Sequence, residues 1–360
     1  MTICEKIETE KVFENNKMNK IFKQLIQWGI AFVIAFFLMN LLTFAFYNPC
    51  QERAREHGAT TSLLLPNSRG VYGLEGYCLA NVDDNGYVNR SLPRADSYYL
   101  VAGASHTEGL FIPLELRYSD LLGGMLGEDG QLKVYNIGRS GNFFSVVLQH
   151  LDGILGEFPD AQAIIIETDT LTYDSKALYD SQVQAGFEPE ANAQAMLSGL
   201  SGKQRLLIQI KKYLPLTREL RKQYYTWKDS LETGTSDILD PEFWEKEFAG
   251  EFPGALSELM KFIRSKTDKQ VIILYHPAVS IERDGSMKLL TNGAEPYYKE
   301  ICPEYDIDFV DMSDAFMKAY NEEHIVPRGF HNTTPGDGHV NRAAHRMMAE
   351  ELYKVIRGKE

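Results

Sequence analysis

The sequence predicts an α/β domain, a parallel sheet with helices on both faces, preceded by a helix apolar enough to cross a membrane. Three observations predict it. Five short apolar runs lie at 98–102, 132–137, 163–166, 271–275 and 307–310. Segments with helical spacing lie among them at about 114–126, 143–157, 255–266 and 295–302. Continuous apolar strands alternating with helices mark a mostly parallel sheet buried on both sides, here of five strands in a three-layer α/β/α arrangement. The third observation is the uncharged stretch 25–47.

That stretch comes first in the chain. At about 1.5 Å per residue it spans roughly 35 Å, enough for a bilayer core of about 30 Å. Only Gln27, Asn40 and Thr43 interrupt it, whereas a core helix of this length carries a polar stripe. It is also longer than the apolar region of a cleaved signal peptide, about 7–15 residues, and no small-x-small site follows. Lys17, Lys20 and Lys23 precede it, while Glu52, Arg53, Arg55 and Glu56 follow with balanced charge. The positive-inside rule puts residues 1–24 in the cytoplasm as a tail and the remainder outside, held by a single-pass anchor in the cell membrane.

Residues 48–97 carry turn signals at Pro66-Asn67-Ser68, Asp83-Asp84-Asn85-Gly86 and Pro93, and read as a linker and irregular extension. The α/β pattern then fills 98–360, broken by a helical insertion at about 174–254. The insertion's Lys211, Lys212, Tyr213, Arg218, Arg221, Lys222, Tyr224 and Tyr225 form either a glycan- or lipid-facing surface or a solvated helix face. A net charge of −13 excludes a nucleic-acid partner, which needs a basic face. Cys4, Cys50, Cys78 and Cys302 show no C-x-x-C spacing, so neither a structural zinc site nor a disulfide scaffold is indicated; a Cys78–Cys302 pairing is left open. No metal or organic cofactor is implied.

Two distant segments carry chemistry. Gly103-Ala104-Ser105-His106-Thr107-Glu108-Gly109 follows the first strand and places a serine hydroxyl at a strand-to-helix turn. A serine needs a base within about 3 Å and donors for the developing oxyanion. Alternatively, Ser105 caps the helix and Glu108 completes a capping box. Gly336-Asp337-Gly338-His339 supplies the base. Among eight histidines only His339 has a carboxylate two residues before it in a glycine-rich turn, and Asp337 would hold its tautomer. The alternative is that Asp337 caps the last helix. The second strand leads into Asn136-Ile137-Gly138-Arg139-Ser140-Gly141-Asn142, where the Gly141 amide and the Asn142 side chain are candidate oxyanion donors. Glu167 and Asp169, at the end of the third strand, either bind substrate or cap the next helix.

These blocks resemble the SGNH (GDSL-like) hydrolase and acyltransferase superfamily from about residue 98 to the C-terminus. Gly103 to Gly109 is similar to the family's first block, G-D-S-x-x-x-G, with Ala104 in place of the aspartate. Asn136 to Asn142 is similar to the second, with Gly141 at the oxyanion glycine. Asp337-Gly338-His339-Val340-Asn341 is similar to the last. The third block, G-x-N-D in the family, reads Ile166-Glu167-Thr168-Asp169, which sets Thr168 where the oxyanion asparagine would be. The short Asp-x-His spacing resembles membrane-anchored branches that modify polysaccharides. The resemblance implies a serine esterase or O-acyltransferase, with acetyl as the expected group and a cell-envelope glycan as substrate. It implies catalytic Ser105, Asp337 and His339, oxyanion residues Gly141, Asn142 and Thr168, and a multi-spanning membrane protein as a candidate acyl-donor partner. A non-catalytic envelope protein of this fold is the competing expectation.

Overall fold

The computed structural model describes residues 3–50, 52–54, 62–90, 97–127, 133–171, 252–291 and 293–358, with a few positions between 214 and 224. Most of the insertion at about 174–254, and of its basic-aromatic face all but Tyr224, lies outside the described residues.

Five strands form one parallel sheet: β1 (Tyr98–Ala102), β2 (Val134–Asn136), β3 (Ala161–Thr168), β4 (Gln270–Tyr275) and β5 (Ile307–Asp311). Their spatial order is β5-β4-β3-β1-β2. The period of two in a strand divides each one between two cores. Leu100, Ala102, Ile164, Ile166, Val271 and Ile273 face one core; Tyr99, Val101, Ala163, Ile165, Ile272 and Leu274 face the other. Burying one such valine or isoleucine contributes about 1.5–3 kcal/mol, so runs apolar at every position are what this sheet requires.

Helices cover both faces. On the first lie α4 (Phe144–Gln149), α5 (Leu151–Glu157), α6 (Phe252–Lys266) and α7 (Glu295–Glu304). On the second lie α3 (Tyr118–Leu126), α8 (Ser313–Glu323) and α9 (Arg342–Arg357). The short α2 (Ser105–Glu108) follows β1 directly. The expected helix at 143–157 is two helices, because His150 leaves helical geometry at φ −98°, ψ 8°. The antiparallel pair Ala278–Ile281 and Met287–Leu290, and α8, are additions to the expected pattern.

α1 (Ile3–Phe46) begins well before the expected apolar run. Its segment Lys20–Phe46 is long and apolar enough to cross a membrane, and its apolar side chains are largely exposed. The chain leaving α1 runs straight onto the extension. Asn48 exchanges two backbone hydrogen bonds with Val71, at 2.8 and 3.0 Å. Val71 lies in a hairpin, Arg69–Tyr72 paired with Cys78–Asn81, whose tip is Gly73-Leu74-Glu75-Gly76-Tyr77.

Candidate active site

The order β5-β4-β3-β1-β2 reverses direction between β1 and β3, and a cleft at the carboxyl ends of those strands is where such sheets bind ligands. Gly103 makes the first turn there. A Cβ on it would stand 2.3 Å from Thr107 Oγ1 and 2.5 Å from Glu167 Oε2, so no side chain fits. Ala104, not Ser105, is the N-cap residue of α2, and its N–H donates to Glu167 Oε2 at 3.1 Å. Ser105 is thereby left with its hydroxyl free for another partner. Its Oγ lies 2.8 Å from His339 Nε2.

The other ring nitrogen departs from expectation. His339 Nδ1 lies 2.7 Å from Glu75 Oε2, and the His339 backbone N–H donates to Glu75 Oε1 at 2.6 Å. Glu75, not Asp337, is the carboxylate that orients this imidazole. Asp337 sits between Gly336 and Gly338, both at positive φ (85° and 82°), and is exposed, with its N–H closing a turn on the Thr334 carbonyl. It does not cap the last helix either; Asn341 does, accepting from the Ala343 and Ala344 amides. Gly338 has a second reason to be glycine. Its Cβ would fall 2.2 Å from Glu75 Oε1. Nothing in the spacing of the chain ties position 75 to position 339; the only local hint is an acid set between Gly73 and Gly76.

Burial would raise the Glu75 pKa, but hydrogen bonds from the His339 ring and backbone outweigh it and hold the carboxyl below its ordinary value. An ionised Glu75 accepts a hydrogen bond from Nδ1–H, which keeps that proton on Nδ1 and leaves the Nε2 lone pair facing the Ser105 hydroxyl. Phe111 stacks on the imidazole at 3.7 Å between ring centres and shields its face from water.

Buried hydrogen bonds behind these residues fix the geometry. Glu167, fully buried, also accepts from the Thr107 hydroxyl at 2.7 Å and pairs with His276 Nε2 at 2.8 Å. His276 Nδ1 faces Arg328 Nη2 at 3.0 Å, and Arg328 donates to the carbonyls of Pro277 and Gly338, both at 3.1 Å. Arg328 thus ties the His339 loop to the end of β4. His106 Nδ1 accepts from the Val340 N–H at 3.3 Å, and its Nε2 faces Asp169 at 3.3 Å. Glu167 is therefore a buried support of the site and Asp169 a charged neighbour; the helix that they were expected to cap lies outside the described residues. Both carboxyls lie below their ordinary pKa. Burial opposes this, but the hydrogen bond from His276 holds Glu167 down, and that from His106 with the Arg328 charge holds Asp169 down.

Burial lowers His106 to about 4, below the ordinary 6.5. Protonation would also break its bond from Val340. As pH falls from about 6.5 to about 4, the unfolded chain takes this proton before the folded one, so stability drops across that window. The melting temperature should fall between pH 7 and pH 4.5, and fall less in His106→Gln. An equal fall in both proteins would remove His106 as the cause.

The expected oxyanion residues are placed unequally. Gly138 presses the second block against α2, since a Cβ on it would lie 2.5 Å from Thr107 Cγ2 and 2.6 Å from the Glu108 nitrogen. Glu108, read as one half of a capping box, instead clamps that block. It pairs with Arg139 and accepts from the Ser140 amide at 2.9 Å and the Ser140 hydroxyl at 2.5 Å. Gly141 is exposed at φ 88° with open space around it, and Asn142 is buried, its N–H closing the turn on Arg139 at 2.9 Å. Thr168 does not present a donor. Its hydroxyl donates to the Thr170 carbonyl at 2.7 Å and takes the Thr170 N–H at 3.1 Å. Short polar side chains commonly close on their own turn in this way.

No family model and no curated protein matches the chain. Solved structures do. They include the acetyl xylan esterase AlAXEase, at 13% identity and TM-score 0.40, covering 72% of this chain and 99% of that one. They include LAE5, an α/β hydrolase enzyme from the metagenome of Lake Arreo, Spain, at 16% and 0.39, covering 73% and 96%. A third is the periplasmic domain of a lipopolysaccharide acetyltransferase from Salmonella ser. Paratyphi A, at 10% and 0.36, covering 72% and 84%. What the site does rests on its own geometry.

Proposed function

We propose that the protein is a membrane-anchored serine esterase or O-acyltransferase of the SGNH type. Acetyl is the expected acyl group, and an extracytoplasmic cell-envelope polysaccharide the expected substrate. The observation that carries this reading is the hydrogen-bonded line Ser105 Oγ–His339 Nε2–His339 Nδ1–Glu75, at 2.8 and 2.7 Å. Nucleophile, base and orienting acid stand in the order that acyl transfer needs.

In the first half-reaction Ser105 Oγ attacks the ester carbonyl and His339 Nε2 takes its proton. The carbonyl π electrons move onto oxygen, and the donors assigned to it in this reading are the Ser105 and Gly141 amides, at the turns after β1 and β2. Collapse of the tetrahedral adduct breaks the bond to the leaving alcohol, which recovers the proton from His339. In the second half-reaction water or a sugar hydroxyl attacks the acyl-Ser105, and His339 takes and returns its proton in the same way. Glu75 stays ionised and stabilises the imidazolium in both halves.

The lysines before the uncharged stretch 25–47 support a cytoplasmic N-terminus and an external α/β domain. An acetylating enzyme outside the membrane has no cytoplasmic acyl donor within reach, which supports a multi-spanning membrane protein as the source. The closed Thr168 turn favours a second reading, a non-catalytic envelope protein that binds glycan or a partner enzyme.

A fluorophosphonate probe applied to the full chain in detergent decides between them. Labelling mapped by mass spectrometry to Ser105 is the expected result; an unlabelled Ser105 in folded protein leaves only the binding role. Product analysis with and without an oligosaccharide acceptor then separates transfer from hydrolysis.

A further inference from the structure

We infer that the end of α1 is a working part of the site: by seating on the hairpin it positions Glu75, so acyl chemistry depends on how the apolar helix meets the domain. The inference rests on the reading of Ser105, His339 and Glu75 given above.

Glu75 lies at the tip of the hairpin, within a five-residue span that has no sheet pairing of its own. What holds that span comes from two sides. On one side stands the end of α1. Gly73 approaches so closely that a Cβ on it would lie 2.6 Å from the Phe46 carbonyl oxygen. Tyr47 meets Tyr72 edge-on at 6.0 Å between ring centres. The Tyr72 hydroxyl accepts from the Cys50 N–H at 3.1 Å, and Asn48 pairs with Val71. Further up the helix Asn40 is buried, in contrast to its exposed apolar neighbours, and accepts from the Leu216 N–H at 3.2 Å. The helix end is therefore docked on the domain rather than trailing from it.

On the other side stand site residues. Asn332 Oδ1 accepts from the Gly76 N–H at 2.8 Å, and the Tyr77 N–H donates to the carbonyl of Phe111, the residue stacked on His339. Gly73 is two residues from Glu75, so a displacement of the hairpin from Phe46 passes to the carboxylate through at most about 7 Å of chain. A misplacement of about 1 Å in such a constellation costs on the order of 10²-fold in rate.

Gly73 and Tyr72 act here as positioning residues. The test is a double-mutant cycle on the full chain in nanodiscs, read as the rate of fluorophosphonate labelling at Ser105. Gly73→Ala inserts a methyl group between hairpin and helix end, and should slow labelling about 10- to 100-fold when Glu75 is present. In the Glu75→Gln background the same change should cost less than about threefold, because its effect runs through a carboxylate already removed. Tyr72→Phe, which keeps the ring and removes the hydroxyl that meets the Cys50 backbone and side chain, should follow the same pattern more weakly and serves if Gly73→Ala does not fold. Equal losses in both backgrounds, or no loss in either, would overturn the inference while Glu75→Gln alone still slows labelling. If Glu75→Gln alone has no effect, the catalytic reading fails and this inference falls with it.

Discussion

Ser105→Ala should abolish covalent labelling and lower ester turnover on the order of 10⁴- to 10⁶-fold, with the fold intact. The size follows from what the hydroxyl does. Among the described residues it is the group at the turn after β1 that faces the free nitrogen of His339, 2.8 Å away. Alanine leaves the imidazole without a nucleophile to activate, so only binding and polarisation by backbone amides remain. The substitution removes one partly buried hydroxyl at the first position of a short helix whose cap is Ala104, and the melting temperature should hold. Turnover of an activated acetyl ester, measured beside the melt, checks both. A variant that retains hydrolysis at more than a few per cent would mean that the activity arises elsewhere.

Glu75→Gln should lower turnover by about 10⁴-fold, while Asp337→Asn leaves it within about twofold. The amide is nearly isosteric, so packing against Gly338 survives. What changes is the proton. A glutamine can turn its NH₂ toward His339 Nδ1, which favours the tautomer carrying hydrogen on Nε2. That hydrogen then faces Ser105 Oγ, and the ring cannot accept the serine proton. The imidazolium formed during attack also loses its counter-charge. Asp337 is exposed and its amide serves a local turn, so neutralising it touches neither function. The two variants assayed side by side discriminate the carboxylates. A larger loss in Asp337→Asn would reassign the orienting acid.

The difference between these residues shows where sequence reasoning reaches and where it stops. The five strands are legible because a sheet covered on both faces needs apolar side chains at every position, and Ile164, Ile165 and Ile166 announce that locally. α8 is less legible because, among residues 313–323, only Phe316 and Ala319 are buried. Ser105 and His339 stand out because each sits at a glycine-marked turn next to a strong strand or helix pattern. Glu75 does not, because its role is set by a contact across 264 positions, made from a segment whose turn residues read as a linker. The Asp-Gly-His spacing then offers a nearer carboxylate that chain geometry turns away. Thr168 misleads in a related way. Its position in the third strand is readable, but the closing of its hydroxyl on Thr170 is a local turn contact that the strand pattern does not show.

The hairpin that carries Glu75 also changes where this protein can be cut. A fragment trimmed to the five-stranded sheet and its helices would begin near Tyr98 and keep Ser105 and His339, but it would lose Leu63 and Tyr87 from the first core and Glu75 from the imidazole. Its histidine would lack the carboxylate at Nδ1. On the proposed role of Glu75, the smallest piece able to do chemistry reaches back past residue 69, and on the inference about α1 it also keeps Phe46. For expression, crystallisation or grafting onto another scaffold, the first strand of the sheet is the wrong place to begin, because the extension before it fills a core and carries Glu75.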